Sequence, residues 1–332
     1  MTPFLPHDLE REIFEFSALS NPRSIPKLVL VARHIKNWIE PLLYRTLSVV
    51  NEDQADSDAV DLIRISTSIC LAISPASFFH VRYLALTGVS PDTVSLILAR
   101  CSGVVGLAIF QTYPPDPAWF PLIAAMSNLR QLSADINYFF VPPRVEFSHL
   151  VLTGLTHLDM FETPLSENWA MDICSLPRLT HLSFNTDDVE PFAPETQIRY
   201  ILANSKSLEA FVLLIFEYEK ALKQYDEYEY FSNDPRSVVM SVADSGYLVD
   251  WERGATGGDD YWIQAERFIQ KRRSGEIKGS EYVIVLPTSP NFAFDSDPLS
   301  FMQWLRTGLN EVPPLYLPTP FLDPSQLKAL PL

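Results

Sequence analysis

The chain is short of cysteine, of basic charge and of the compact motifs that carry chemistry. Its three cysteines, Cys70, Cys101 and Cys174, are odd in number and widely spaced. That gives neither a disulfide framework nor zinc-ligand spacing and fits a reducing compartment. They read as small core residues at helix ends. Lys and Arg number 25 against 41 Asp and Glu, for a formal charge of −16 and a pI near 4.7. Nucleic-acid phosphates are repelled by such a chain, so DNA and RNA are poor partners. No Asn is followed two places later by Ser or Thr, and an N-glycosylation acceptor is therefore missing. Residues 1–6 lack the basic stretch and apolar core of a signal peptide. The apolar run 211–216 is far too short to span a bilayer. The expectation is a cytosolic or nuclear protein away from membranes.

Catalytic signatures are missing as well. The sequence has no phosphate-cradling loop, no His-Glu-x-x-His helix and no Gly-x-Ser-x-Gly elbow. The glycines of residues 254–258 lack the preceding strand and following spacing of a dinucleotide site and read as a loop. The chain is read as a non-enzyme without cofactor or bound metal.

What is present is apolar material in two different patterns. The 332 residues are 47% hydrophobic with mean hydropathy +0.05, enough for one extended domain or two compact ones. The first pattern is helical. After Leu5-Pro6, Asp8 can cap a helix in which Leu9, Ile13 and Phe16 fall at i, i+4 and i+7, with Phe14 beside them. Turn chemistry over 19–24 breaks it. Leu28, Val31, Ala32 and Ile35 then recur at helical spacing, and Trp38, Ile39, Leu42 and Leu43 mark a third helix that Pro41 should bend or interrupt. Three short helices over about forty residues bury too little surface to stand alone, so part of their apolar face needs a cover.

Residues 51–61 carry five acids and no base and read as a solvated linker before a helix over 62–73. The second pattern follows. The phrases beginning at Val81, Val104, Leu129, Leu155, Leu179 and Leu208 each place apolar residues at positions one, four and six and recur every 23 to 29 residues. The period and the L-x-x-L-x-L core match a leucine-rich-repeat pattern, in which each unit supplies one strand and one helix and leans on its neighbours. Helices are expected over 91–101, 117–126, 167–174 and 195–204. The asparagine that usually follows the strand is in register only at Asn137, so the expected solenoid is irregular.

Beyond residue 216 acids and tyrosines alternate to 234, a solvated insertion or a dock for a basic partner. Residues 238–242, 247–251 and 281–286 read as strands, and Asp259 or Asp260 can cap a helix reaching Arg273. These elements are expected to close the exposed end of the solenoid. From 287 onward there are nine prolines, and only 297–308 has helix start and stop signals. The expected organisation is a helical unit 4–50, a linker and helix 51–80, repeats 81–216, a cap 217–286 and a proline-rich tail 287–332.

If the leucines turn inward, the intervening positions pave the strand face. That face would present Tyr83, Gln131, His157 and His181, then Ser133, Asp159 and Ser183, then Phe110, Asp135, Phe161 and Asn185. Mixed aromatic and polar side chains on a rigid sheet suit a client protein. His157 and His181 hold the same repeat position on neighbouring strands, about 5 Å apart, with Asp159 two residues on. A metal is the weaker reading of that trio, because Zn²⁺ takes three or four firmly held ligands.

The N-terminal helices resemble a fungal F-box-like domain. The resemblance is carried by Leu5-Pro6, Asp8-Leu9, Ile13-Phe14, Leu28, residues 30–33 and Pro41-Leu42-Leu43-Tyr44-Arg45-x-Leu47, parallel to L-P-x-E-L, I-F, L-x-L-V-C-K and L-W-R-x-L. Ala32 stands for the usual cysteine and Tyr44 for the usual tryptophan. The resemblance implies a hook for the Skp adaptor of SCF ubiquitin ligases, and through it for cullin and RING subunits. The implied contact set is Leu5, Pro6, Leu9, Ile13, Phe14, Leu28, Val31, Ile35, Leu42, Leu43 and Tyr44. The family's order, hook first and repeats after, implies an α/β protein that acts as a client receptor, monomeric within its hetero-complex. The other reading is a stand-alone repeat scaffold that binds a protein without ubiquitin chemistry.

Overall fold

Each repeated phrase forms a strand, and the strands lie side by side in register. The computed structural model describes residues 5–21, 24–51, 64–140, 147–164, 166–186, 195–215, 234–241, 246–278 and 283–285. All of them fall in one unit, Met1–Ser296. The strands are β1 (Thr46–Val50), β2 (Arg64–Ser66), β3 (Tyr83–Thr87), β4 (Gly106–Phe110), β5 (Gln131–Ala134), β6 (His157–Met160), β7 (His181–Thr186), β8 (Ala210–Ile215), β9 (Ser237–Ser241) and β10 (Val283–Val285). They form one ten-stranded sheet in the order β10-β9-β8-β7-β6-β5-β4-β3-β1-β2, with every described neighbour pair parallel.

The register explains the repeat. Leu84, Leu107, Leu132, Leu158, Leu182 and Phe211 sit directly opposite one another from strand to strand, as do Leu86, Ile109, Ala134, Met160, Phe184 and Leu213. Both rows are buried in one continuous core. Parallel strands need a crossover between them, and here the crossovers are short helices that cover this face. They are α4 (Thr67–Ala72), α5 (Pro91–Leu98), α6 (Trp119–Ala124), α7 (Leu150–Thr153), α8 (Trp169–Cys174) and α9 (Glu195–Asn204). Ile97, Ile123, Ile173 and Ile201 are the innermost side chains of four of them. Each strand is entered the same way: the carbonyls of Arg45, Arg82, Val105, Arg130, Thr156 and Thr180 each accept two successive N–H groups from the next strand's start. The first residue of each phrase, from Val81 to Leu208, is buried beneath this step.

Ahead of the sheet stand α1 (His7–Ser20), α2 (Ile25–Leu28) and α3 (Arg33–Leu43). Asp8 does not cap α1, which Pro6 precedes without a side-chain cap; Asp8 instead lies in the first turn, where the helix dipole favours an acid. Nor does Pro41 end α3, which runs through it to Leu43. Proline forgoes one backbone bond there, and the helix runs only two residues past it. Strand β1 begins three residues later and was hidden because Thr46–Val50 lacks the repeated phrase. The helix expected over 62–73 starts only at Thr67, because Ser66 ends β2 and its Oγ accepts from the Ile69 N–H.

The largest departure is at the C-terminal side. Of the segment expected as a cap, β9 and β10 extend the sheet, and two helices lie on its other face. These are α10 (Tyr247–Ala255) and α11 (Tyr261–Ser274). Residues 247–251 were expected as a strand, but Tyr247, Trp251 and Ala255 recur at helical spacing. The short apolar run alone could not distinguish the two. Asp260 caps α11 through Ile263 N–H, and Gly275 ends it with φ +78°, a left-handed geometry that glycine adopts without penalty. The expected tail 287–332 and acidic insertion 217–233 lie outside the described residues.

Candidate functional site

The two surfaces singled out in the sequence differ in what covers them. The N-terminal helices have a small core of their own: Ala18, Ile25, Ile35 and Ile39, with Phe14, Leu28, Leu42 and Leu43 packed around it. Ile35 is 1% exposed, so its expected contact with a partner is withdrawn. Tyr44 leans on the sheet's core instead. A ring cluster pins α1 to α3: His7 and His34 meet the Trp38 ring edge-on at 4.7 and 5.0 Å, and His34 Nε2 lies 3.2 Å from Glu10 Oε1.

That packing uses one side of α1 and leaves the other bare. Leu5, Leu9, Ile13, Phe16 and Leu19 are 45 to 72% exposed, and Leu30 and Val31 beyond α2 are 82 and 60% exposed. Pro6 is exposed beside them. Phe16, Leu19 and Leu30 extend the expected docking set. The helical period already pointed to Phe16; Leu19 and Leu30 sit at the helix–turn junctions, where periodicity fades. An apolar row this continuous on a helix whose back is anchored is a surface suited to a groove on another protein.

The strand face, by contrast, is interior. Tyr247 of α10 meets Phe110 at 5.0 Å and Phe161 at 5.3 Å, ring to ring. Tyr261, Trp262, Ala265 and Ile269 of α11 pack with Val212, Leu214, Val238 and Met240. At the far edge Arg64 of β2 holds Glu252 of α10 with bonds of 3.2 and 2.7 Å, and Thr46 Oγ1 donates to the Ala255 carbonyl at 3.3 Å. At the opposite side Arg272 Nη1 donates to the Ser237 carbonyl at 2.8 Å. The two helices thus cross the face from β9 to β2. The expectation that Tyr83, Phe110, Gln131, Asp135, His157, Asp159, Phe161, His181 and Asn185 present an open client surface is corrected: Tyr83, Gln131, His157 and Phe161 are half-buried and the rest buried. Apolar neighbours such as Ala85, Ala108 and Val212 on the same face need a cover, and the chain supplies its own.

Near α11 several polar residues pair with one another or with the helix. The His157 and His181 rings stack 4.1 Å apart with planes 8° from parallel, both edge-on to Trp262 at 5.4 and 5.5 Å. Glu266 Oε1 lies 2.8 Å from His181 Nε2. Burial, and then the neighbouring His181, hold His157 down to about 3, and burial lowers His181 despite Glu266. Asp159 accepts from Ser183 Oγ at 2.6 Å, and Ser183 Oγ lies 3.0 Å from Tyr261 OH. Burial pushes the Asp159 carboxyl up to about 7 and that of Asp250, which accepts from the Tyr261 N–H at 2.9 Å, to about 6. Asp135 accepts two bonds from Asn137, which also donates to the Thr163 carbonyl at 3.1 Å. This is a polar layer locking helix to sheet. Among the described residues, no three His, Cys, Asp or Glu side chains are arranged to hold a metal ion.

Cys70 and Cys101 are buried and Cys174 is half-buried, all three unpaired. Burial raises their thiols, Cys70 to about 11 and Cys101 to about 12, far from the thiolate that chemistry at sulfur requires. Among the described residues no helix is long and apolar enough to cross a membrane. No model of a known protein family matches the chain, and no curated protein matches it in sequence.

Proposed function

We propose that this protein is a non-catalytic receptor subunit of an SCF-type ubiquitin ligase, whose N-terminal helices form an F-box-like hook for the Skp adaptor. In this reading the parallel array behind the hook is an irregular leucine-rich-repeat solenoid, and the complex works in the cytosol or nucleus. The observation that carries it is the bare row Leu5, Leu9, Ile13 and Phe16 on a helix held from behind by Ala18, Ile35 and Ile39. Such a row costs solubility unless something covers it. The order of parts, hook then array, supports the same reading. The client is not seated on the strand face, which α10 and α11 fill.

The test is co-expression of the full chain with the Skp adaptor, followed by purification through the chain. Adaptor and cullin should co-elute with the wild type and be lost from Leu9→Asp/Ile13→Asp, while the melting temperature stays unchanged. A wild-type chain that elutes without either subunit would replace this reading with the stand-alone scaffold.

A further inference from the structure

The bare row on α1 is bordered by charge of one sign. Asp8, Glu12 and Glu15 each precede a member of the row, Leu9, Ile13 and Phe16, so an acidic row runs beside the apolar one along a single side of the helix. Arg11 answers Glu15 at 2.7 Å. Asp8 and Glu12 are exposed, and among the described residues neither has a basic partner.

This border excludes two occupants. In an antiparallel pair of identical helices each flank meets the same flank of its mate, so the acids of one copy would face those of the other. In a parallel pair the acidic flank meets the opposite one, where Glu10 and Ser17 offer no base and the neighbouring His34 already faces Glu10. An anionic membrane surface attracts helices whose polar side is rich in Lys and Arg, the reverse of this one.

We infer that α1 docks in an apolar groove of a protein partner, one wall of which carries Lys or Arg opposite Asp8 and Glu12. The inference rests on the docking role proposed above and adds the chemistry of the partner. Apolar contact supplies the affinity, and the charged wall fixes the direction and register in which the helix lies, since opposed charges select orientation more than they add strength. It also discriminates: a groove with an acidic wall meets the acidic row directly and is rejected.

Two synthetic amphipathic helical peptides with the same leucine row, one edged with Lys and one with Glu, test this by fluorescence anisotropy against the full chain. The Lys-edged peptide should bind about tenfold more tightly, from two exposed charge pairs. Asp8→Lys/Glu12→Lys should reverse that order. The variant keeps a large negative net charge, so a merely non-specific attraction of the cationic peptide would survive the change. Phe16→Asp should remove both peptides. Equal affinities, no saturable binding of either peptide, an order unchanged in the double-Lys variant, or a dimer of the chain abolished by Ile13→Asp would each overturn the inference. Failure here with the Skp adaptor still co-purifying sinks the charged wall alone. Reversal of preference without Skp co-purification sinks the ligase reading alone.

Discussion

His157 and His181 occupy equivalent positions on adjacent strands and stack ring on ring, 4.1 Å between centroids, under the edge of Trp262. The pair holds because both rings stay neutral. A second charge at that distance in a poorly hydrated layer would be strongly repelled.

Acid should therefore loosen α11. Both imidazoles titrate below their ordinary value of 6.5 in the folded chain. The unfolded chain takes up protons first as pH falls, and the stability the rings contribute, complete above 6.5, declines below it, for His157 down to about 3. His157→Gln/His181→Gln should flatten the fall in urea midpoint between pH 7 and pH 4.5. Parallel profiles for variant and wild type would contradict it.

Asp159 works in the opposite sense. Its folded value of about 7 lies above the ordinary 3.8. Its contribution is complete below 3.8 and is lost as pH rises through 7. Asp159→Asn retains an oxygen that accepts from Ser183 and removes the titration. The variant should gain midpoint relative to wild type at pH 8 and lose that advantage at pH 4. A deficit at both pH values would show that the carboxylate is needed charged.

Arg64 and Glu252 tie the sheet's edge to α10. Arg64→Ala leaves the 7% exposed Glu252 side chain without its bidentate partner, a loss of about 1–3 kcal/mol for a buried group stripped of its bonds. Arg64→Ala/Glu252→Gln should recover part of it. Hydrogen exchange should show α10 amides opening earlier in the single variant; unchanged protection would mean the pair is ornamental.

The two sides of the N-terminal helices should respond in opposite ways. Ile39→Ala empties the small core and should cost about 2–5 kcal/mol, whereas Leu9→Ser on the bare side should stay within about 0.5 kcal/mol. Urea titrations of both decide whether these helices fold with their own core or need a partner to do so.

The array was legible because Leu84, Leu107, Leu132, Leu158 and Leu182 obey one period, and a period reports a parallel ladder directly. Four crossover helices fell within a few residues of their expected places for the same reason. What the sequence hid was long-range. Thr46–Val50 joins the sheet without the phrase, and Tyr247 lies under Phe110 across more than a hundred residues, a relation no local pattern encodes. The inward-facing alanines Ala85 and Ala108 were a clue: small residues on a supposedly open face let another element approach closely. On the N-terminal helices the period marked Leu9 and Ile13 as one apolar face, while the contact set implied by the resemblance misassigned Ile35, because Ile35 is apolar like its neighbours and only packing shows which way it turns.

From β9 to β2 the sheet takes eight steps, about 38 Å at about 4.8 Å each. The bonds from Arg272 to Ser237 and from Arg64 to Glu252 fasten α11 and α10 near its two margins. The two margins are therefore held by neighbouring helices of one segment, and inserting or deleting a single strand between β9 and β2 would pull one of these bonds apart.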